Sequence, residues 1–266
     1  MTEFEFRLHP LGTRALVADL FFPAEDALPV LRGWQELNAT APRQATFTAW
    51  SGEATAPFLP EELWHRPLPG VGFVWVGDRE QGRALLPAMR ALGRPGAERI
   101  QEMSYVELQL MDDDIEGHRR RRYWKGHYFR ELTNQAIDAF RFRGTADGRG
   151  ALMPAFGLQA YGGAIAEVPD GDTAFSQRGT HFELVVAARW TDPAQDAARM
   201  ATARRCAAAL DPFATGVYVN ALTDEGAAGV RRAYPPTKLT RLTALKDLYD
   251  PDNVFHLNQN IRPSSG

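Results

Sequence analysis

Cysteine is all but absent from this chain. Cys206 is the only one in 266 residues, so no internal disulfide can form, and its setting in "ARRCAAAL" suits a small apolar residue on a packed helix face. Charge of one sign is also lacking. The balance is 30 Lys and Arg against 33 Asp and Glu, a net charge of −3 that advertises no polyanionic partner and gives no reason to expect nucleic acid. No stretch approaches the roughly 20 apolar residues a membrane span needs. The opening "MTEFEFRLHP" has no basic region followed by an apolar one. These absences point to a cytoplasmic protein without a membrane partner. Internal repeats and low-complexity linkers are missing, and so are the glycine spacings of a dinucleotide loop (G-x-G-x-x-G) or a phosphate-cradling loop.

The chain is long enough to bury a substantial core. Phe4, Phe6 and Leu8 alternate with Glu3, Glu5 and Arg7, which predicts a half-buried strand from residue 2, as if continuing something longer. "RALVADLFFP" reads as a strand. Pro23 and the 3.6-residue spacing of Ala27, Leu28, Leu31, Trp34 and Leu37 then predict a helix. "QATFTAWSG", "GVGFVWVGD", "LMPAFGLQAYGGAIAEV" broken at Gly162 and Gly163, "THFELVVAARW" and "GVYVNAL" read as β segments. "REQGRALLPAMRALG", closed by Gly93, "ELTNQAIDAFRFRG", "DPAQDAARMATARRCAAAL" and a pair over 225–249 read as helices, with "TADGRG" a turn. The strands alternate in polarity, so one sheet face should meet helices while the other lines something more polar. The fold class is α+β.

Two charged runs stand out. Asp112 to Asp114 form either a solvated acidic loop or a metal site, and consecutive carboxylates converge poorly on one ion. Arg119 to Arg122 read as a surface loop or as a phosphate site, with the neighbouring acids against the latter. In "THFELVVAARW", His181, Glu183, Val185 and Ala187 share one strand face, which places two ionisable groups among apolar neighbours. Their polar groups either do chemistry or merely meet solvent. Gly162 and Gly163 mark a bulge or a close backbone approach.

The closing stretch "RLTALKDLYDPDNVFHLNQNIRP" contains a buried-looking Val254/Phe255 pair and three amides, Asn258, Gln259 and Asn260. It resembles the C-terminal signature of the berberine bridge enzyme-like family of FAD-linked oxidases. "TEFEFRLHP", "YWKGHY", "YGGAIAEV" before "TAFSQRG", "FELVVAARWTDP" and "GVYVNALTDEG" match in the family's order over nearly the whole chain. The resemblance implies an antiparallel substrate domain backed by helices over 11–215. Residues 1–10 would then end a flavin-domain region, and 216–266 would complete that domain. It also implies FAD contacts at Asn220, Asn258 and Asn260, where carboxamides donate and accept without adding charge. Glu183 matches an active-site glutamate of some plant members and would be the general base, with His181 positioning substrate. Gln159, Tyr161, Tyr123 and Lys125 are candidate substrate contacts.

Departures from the family pattern qualify this expectation. Many plant members carry a tyrosine base after the asparagine of Y-x-N. Here that position is Ala221, and Tyr218, three residues earlier, joins Glu183 and His181 as a candidate catalytic residue. Pro235 and Leu239 replace a usual glycine and a common aromatic. Cys206 and His9 match neither covalent flavin attachment position, so no covalent flavin is expected. The family's phosphate-binding loop is not in this sequence. The expected function is an FAD-dependent oxidoreductase of a small organic or secondary-metabolite substrate, truncated or split and inactive alone, with a separate FAD-binding subunit as one possible partner. The alternative is a non-enzymatic remnant that binds a ligand or a protein.

Overall fold

Seven alternating segments pair into one antiparallel sheet. The structure is a computed structural model that describes residues 3–8, 14–53, 58–111, 113, 120–140 and 152–264. His9, Asp112, Asp114, Arg119 and the predicted turn at 145–150 lie outside these residues. The strands are β1 (Ala15–Phe21), β2 (Ala45–Glu53), β3 (Pro67–Trp75), β4 (Ala97–Met103), β5 (Arg121–Phe129), β6 (Ala155–Ala160) and β7 (Phe182–Trp190), in the spatial order β4-β1-β3-β2-β6-β7-β5. The helices are α1 (Ala27–Ala39), α2 (Arg79–Arg83), α3 (Leu86–Arg90), α4 (Tyr105–Leu110), α5 (Asn134–Phe140), α6 (Ala164–Glu167), α7 (Asp196–Ala208), α8 (Gly226–Ala233) and α9 (Pro236–Tyr249).

One sheet face forms the core. Leu16, Ala18 and Leu20 of β1, Phe47 of β2, Phe73 of β3, Leu158 of β6 and Leu184 of β7 pack against Val30, Leu31 and Trp34 of α1, Ile137 and Phe140 of α5, and Ala203 and Ala207 of α7. Burying a large apolar side chain contributes about 1.5–3 kcal/mol. Because the side-chain period is two, this burial sets the register and turns the intervening residues to the other face. Part of that other face, at Phe21, is roofed by Leu59, Phe58 and Leu63.

Several expectations change. Residues 3–8 form no strand: Phe6 is 72% and Leu8 84% exposed, since among the described residues no strand pairs with them to reward the alternation. Val254 and Phe255 are not buried, and Phe255 is 82% exposed. The helix expected over "REQGRALLPAMRALG" is split into α2 and α3 near Pro87, which has no N–H to continue the ladder. "GVYVNAL" is not a strand. Gly216 makes one isolated bridge to Tyr128, and Val219–Ala221 is a 3-10 turn. Ala164–Glu167, at the end of an expected strand region, form the short helix α6, Arg121 and Arg122 open β5, and β4, β5 and α4 answer to no sequence expectation. Among the described residues no helix is long and apolar enough to cross a membrane.

Candidate active site

The pairings align one residue from each strand into a row across the open face: Arg99, Asp19, Gly72, Thr48, Gln159, Glu183 and Tyr128. Asp19 and Arg99 neutralise each other at one end. Glu183 and Tyr128 lie opposite each other at the other end. The next row contains Gly70, Trp50, Gly157, Val185 and Gly126. A methyl on Gly157 would meet nothing within 4 Å, so the sheet there has an open floor.

Glu183 is 9% exposed and accepts a hydrogen bond from the Tyr161 hydroxyl. Burial raises the carboxyl above the usual range, against the lowering effect of that bond. Burial, and then the Glu183 charge, hold Tyr161 and Tyr128 strongly in their protonated forms. The Tyr128 and Tyr161 rings are 5.8 Å apart. Tyr161 owes its place to the end of β6, where its N–H donates to the carbonyl of His181 at 2.7 Å.

Two clefts flank this group. One, of about 830 Å³, opens at the end of the sheet and is lined by Tyr161, Gln159, His181, Asn38, Arg43 and the Gly162–Gly163 turn. The other, of about 200 Å³, has aromatic walls, Tyr128, Phe175, Tyr218 and Tyr234, with Ser176 and Asn220 between them. Glu183 lines neither cleft, whereas Tyr161 and Tyr128 reach one each.

Gln159, Tyr161 and Glu183 are therefore brought together. His181 precedes β7 and shares the larger cleft, but no side-chain hydrogen bond joins it to Glu183 among the described residues. Tyr218 and Asn220 sit at the smaller cleft, where Asn220 Nδ2 donates to the Tyr218 hydroxyl at 2.8 Å. Asn258 is exposed with φ +59°, a conformation Asn tolerates. Gln259 donates to the Leu222 carbonyl at 3.0 Å, which ties the C-terminal run to the 3-10 turn.

Tyr123 and Lys125 lie on the opposite, core face of β5. Lys125 pairs there with Asp224 and, at 2.8 Å, with Glu225, and the Tyr123 hydroxyl donates to Asp224 at 2.8 Å. Sequence reasoning missed Tyr128, although the alternation in "YWKGHY" already separates it from Tyr123 and Lys125. It missed Ser176 too, for which no sequence signal exists.

The turn carrying Asn220 rests on Gly126, where an added Cβ would lie 2.5 Å from the Ala221 methyl. Gly126→Val should displace that turn and cost about 1–3 kcal/mol. Urea unfolding is the check, and an unchanged midpoint would mean the contact is slack.

FAD, implied by the resemblance, is tested by the unpaired polar atoms. Asn260 Oδ1 and Ser176 Oγ are buried without a hydrogen-bond partner. Ser176 lies in the aromatic-walled smaller cleft, where its hydroxyl fits a planar ring that has donors and acceptors on its edge. Among the described residues no group of three or more His, Cys, Asp or Glu could hold a metal ion.

Comparison with known proteins agrees. Residues 217–262 match the family model described as berberine and berberine like. The chain is 26% identical over 279 positions to the uncharacterized FAD-linked oxidoreductase YvdP of Bacillus subtilis, covering 99% of this chain and 57% of the relative. It is 29% identical over 161 positions to the aclacinomycin-N/aclacinomycin-A oxidase of Streptomyces galilaeus, covering 52% and 29%. In fold it is similar to the BBE-like 1 protein of Physcomitrella patens, with a TM-score of 0.76, 17% identity and coverage of 97% of this chain and 56% of that one. Berberine bridge enzyme from Eschscholzia californica gives 0.73, 16%, 95% and 56%. The chain spans about half the length of the curated relatives it matches across nearly its whole length. With the signature in its last segment and the same sheet architecture, the chain is similar along nearly its whole length to part of the berberine bridge enzyme-like FAD-linked oxidoreductases.

Proposed function

We propose that this chain supplies the substrate-binding and proton-transferring part of an FAD-dependent oxidoreductase that acts on a small organic substrate, a secondary metabolite among the candidates. The observation that carries this reading is the Tyr161–Glu183 pair, held between two clefts on the open sheet face. Bound FAD supplies the hydride-accepting chemistry, and Asn220, Asn258 and Asn260 would hold it.

Substrate enters the larger cleft, where Gln159 and His181 orient it. Its hydroxyl proton passes to the Tyr161 oxygen as the tyrosine's own proton moves to Glu183. A relay suits this geometry because Glu183 is too enclosed to meet substrate directly, while its raised pKa makes it a willing proton acceptor. With Tyr161 in this role, the alanine at 221 does not deprive the site of a base. Tyr218 belongs to the cofactor side.

A flavin-binding region, on a longer form of this polypeptide or on a separate subunit, completes the enzyme. The exposed apolar side chains Phe4, Phe6, Leu8, Leu248, Phe255 and Leu257 are the contacts it would cover. Residues 11–215 would be the substrate domain, and 1–10 with 216–266 the part facing flavin.

The test is the visible spectrum and intact mass of the protein from its native source. Flavin absorbance that survives purification, lost on denaturation because the flavin is not covalent, is the expected result. A colourless 266-residue species without a flavin-bearing partner would refute the reading. The isolated chain is expected to show no turnover with added FAD.

A further inference from the structure

We infer that Ser176 is the hydrogen-bonding group that reads the edge of a flavin ring in the smaller cleft. This rests on the reading of the protein as a flavoenzyme and assigns it a binding residue that the family resemblance does not supply.

Ser176 is 8% exposed, its hydroxyl makes no hydrogen bond, and it lines the cleft between Tyr128, Phe175, Tyr218 and Tyr234. A hydroxyl that has left water without gaining a partner is costly in a folded protein, and such groups mark places where a ligand supplies what the protein withholds. Four aromatic rings around one hydroxyl and the Asn220 carboxamide suit a flat heteroaromatic ring that stacks on its faces and bonds along one edge.

The hydroxyl is also held in place from both sides. The carbonyl of Phe175 accepts from the Lys238 ammonium at 2.7 Å. The Gln177 carboxamide donates to the carbonyls of Arg232 and Ala233 at 2.7 and 3.1 Å, which sustains its left-handed backbone at φ +61°. Gly216 leaves room for this side chain, because a Cβ there would lie 1.8 Å from the Gln177 amide oxygen. The seat is rigid, so little ordering accompanies binding.

The test is a titration of the full 266-residue chain with riboflavin, followed by flavin fluorescence, on wild type and Ser176→Ala, with thermal melting of both without ligand. Wild type should quench riboflavin saturably. The variant should bind about 5- to 10-fold more weakly, the worth of one neutral hydrogen bond. Without ligand it should melt at or above the wild-type temperature, because the substitution removes an unsatisfied group. A structural serine predicts the opposite sign, so a lowered melting temperature overturns the assignment.

Equal riboflavin affinity in the two proteins also overturns it. If the native protein carries flavin in that case, the flavoenzyme reading stands and only Ser176 falls. No saturable binding to wild type removes the ring from this cleft. A parallel titration with AMP separates the two ends of FAD, and uptake of AMP alone would give the cleft to adenine and sink the proposal.

Discussion

Tyr161→Phe, in the flavin-loaded enzyme, is expected to lower kcat by about 10²–10⁴-fold, the usual worth of a positioned acid–base group. The phenol is the only member of the Tyr161–Glu183 pair that lines the larger cleft, so its loss cuts the proton path while leaving the cleft's shape. Glu183→Gln should fall by a similar factor, because the relay then ends in an amide that takes no proton. The two together should lose little more than either alone, as expected of groups acting as a unit. Steady-state kinetics with KM determined separately is the measurement, and a drop confined to KM would demote the pair to substrate binding.

Stability should move the other way in Glu183→Gln. The folded-state pKa of Glu183 is raised by burial above the ordinary glutamate value of about 4.3. A raised pKa means that the folded state binds this proton more tightly than the unfolded state. Its contribution is therefore full below about pH 4 and is lost as pH rises through the folded value. At neutral pH the buried charge is a burden, and Glu183→Gln should melt higher than wild type, with the gap closing in acid. A variant less stable at pH 7 would mean that the carboxylate is held by more than Tyr161.

Lys125→Ala carries the other large expected effect, about 2–3 kcal/mol of stability, or about 5–10 °C in Tm. Lys125 is buried on the core face and bonds Asp224, Glu225 and, at 3.2 Å, Thr223, which donates in turn to the Trp124 carbonyl at 3.1 Å. Removing the ammonium strands the mostly buried Glu225. Asp224, more exposed, keeps Arg204 at 2.6 Å and Tyr123, which holds the effect below that of a fully buried pair.

Burial acts to raise both carboxyls. It is outweighed at Asp224 by hydrogen bonds from Lys125, Arg204 and Tyr123, and at Glu225 by those from Lys125 and the Thr223 N–H, so both end below the usual range. Their stabilisation is present above about pH 4 and is lost as pH falls through the depressed values. The substitution should therefore flatten the acid limb of the stability curve. Chemical denaturation between pH 3 and 7 tests this, and an unaltered acid limb would remove the clamp from the account.

Much of this was legible in the residues. The run Ala27, Leu28, Leu31, Trp34, Leu37 predicts α1, and the alternation in "THFELVVAARW" predicts β7, because helix and strand periods are local properties of the chain. Glu183 followed from that alternation and from the family motif together. The N-terminal alternation failed as a strand for want of a pairing strand among the described residues, which no local pattern supplies. Lys125 and Glu183, both ionisable residues inside β segments, look alike in sequence yet face opposite sides of the sheet.

By itself, then, the sequence determined five of the seven strands (β1, β2, β3, β6 and β7), the α+β class, the family resemblance and the candidacy of Glu183, all of which rest on short-range periodicity and motif spacing. Tertiary structure alone decided that Tyr161 meets Glu183 and that Tyr128 and Ser176 share a cleft with Asn220. It also decided that Lys125 is a clamp on the far face. Those contacts join residues 22 to 100 positions apart, and they exist only once seven strands have found one register.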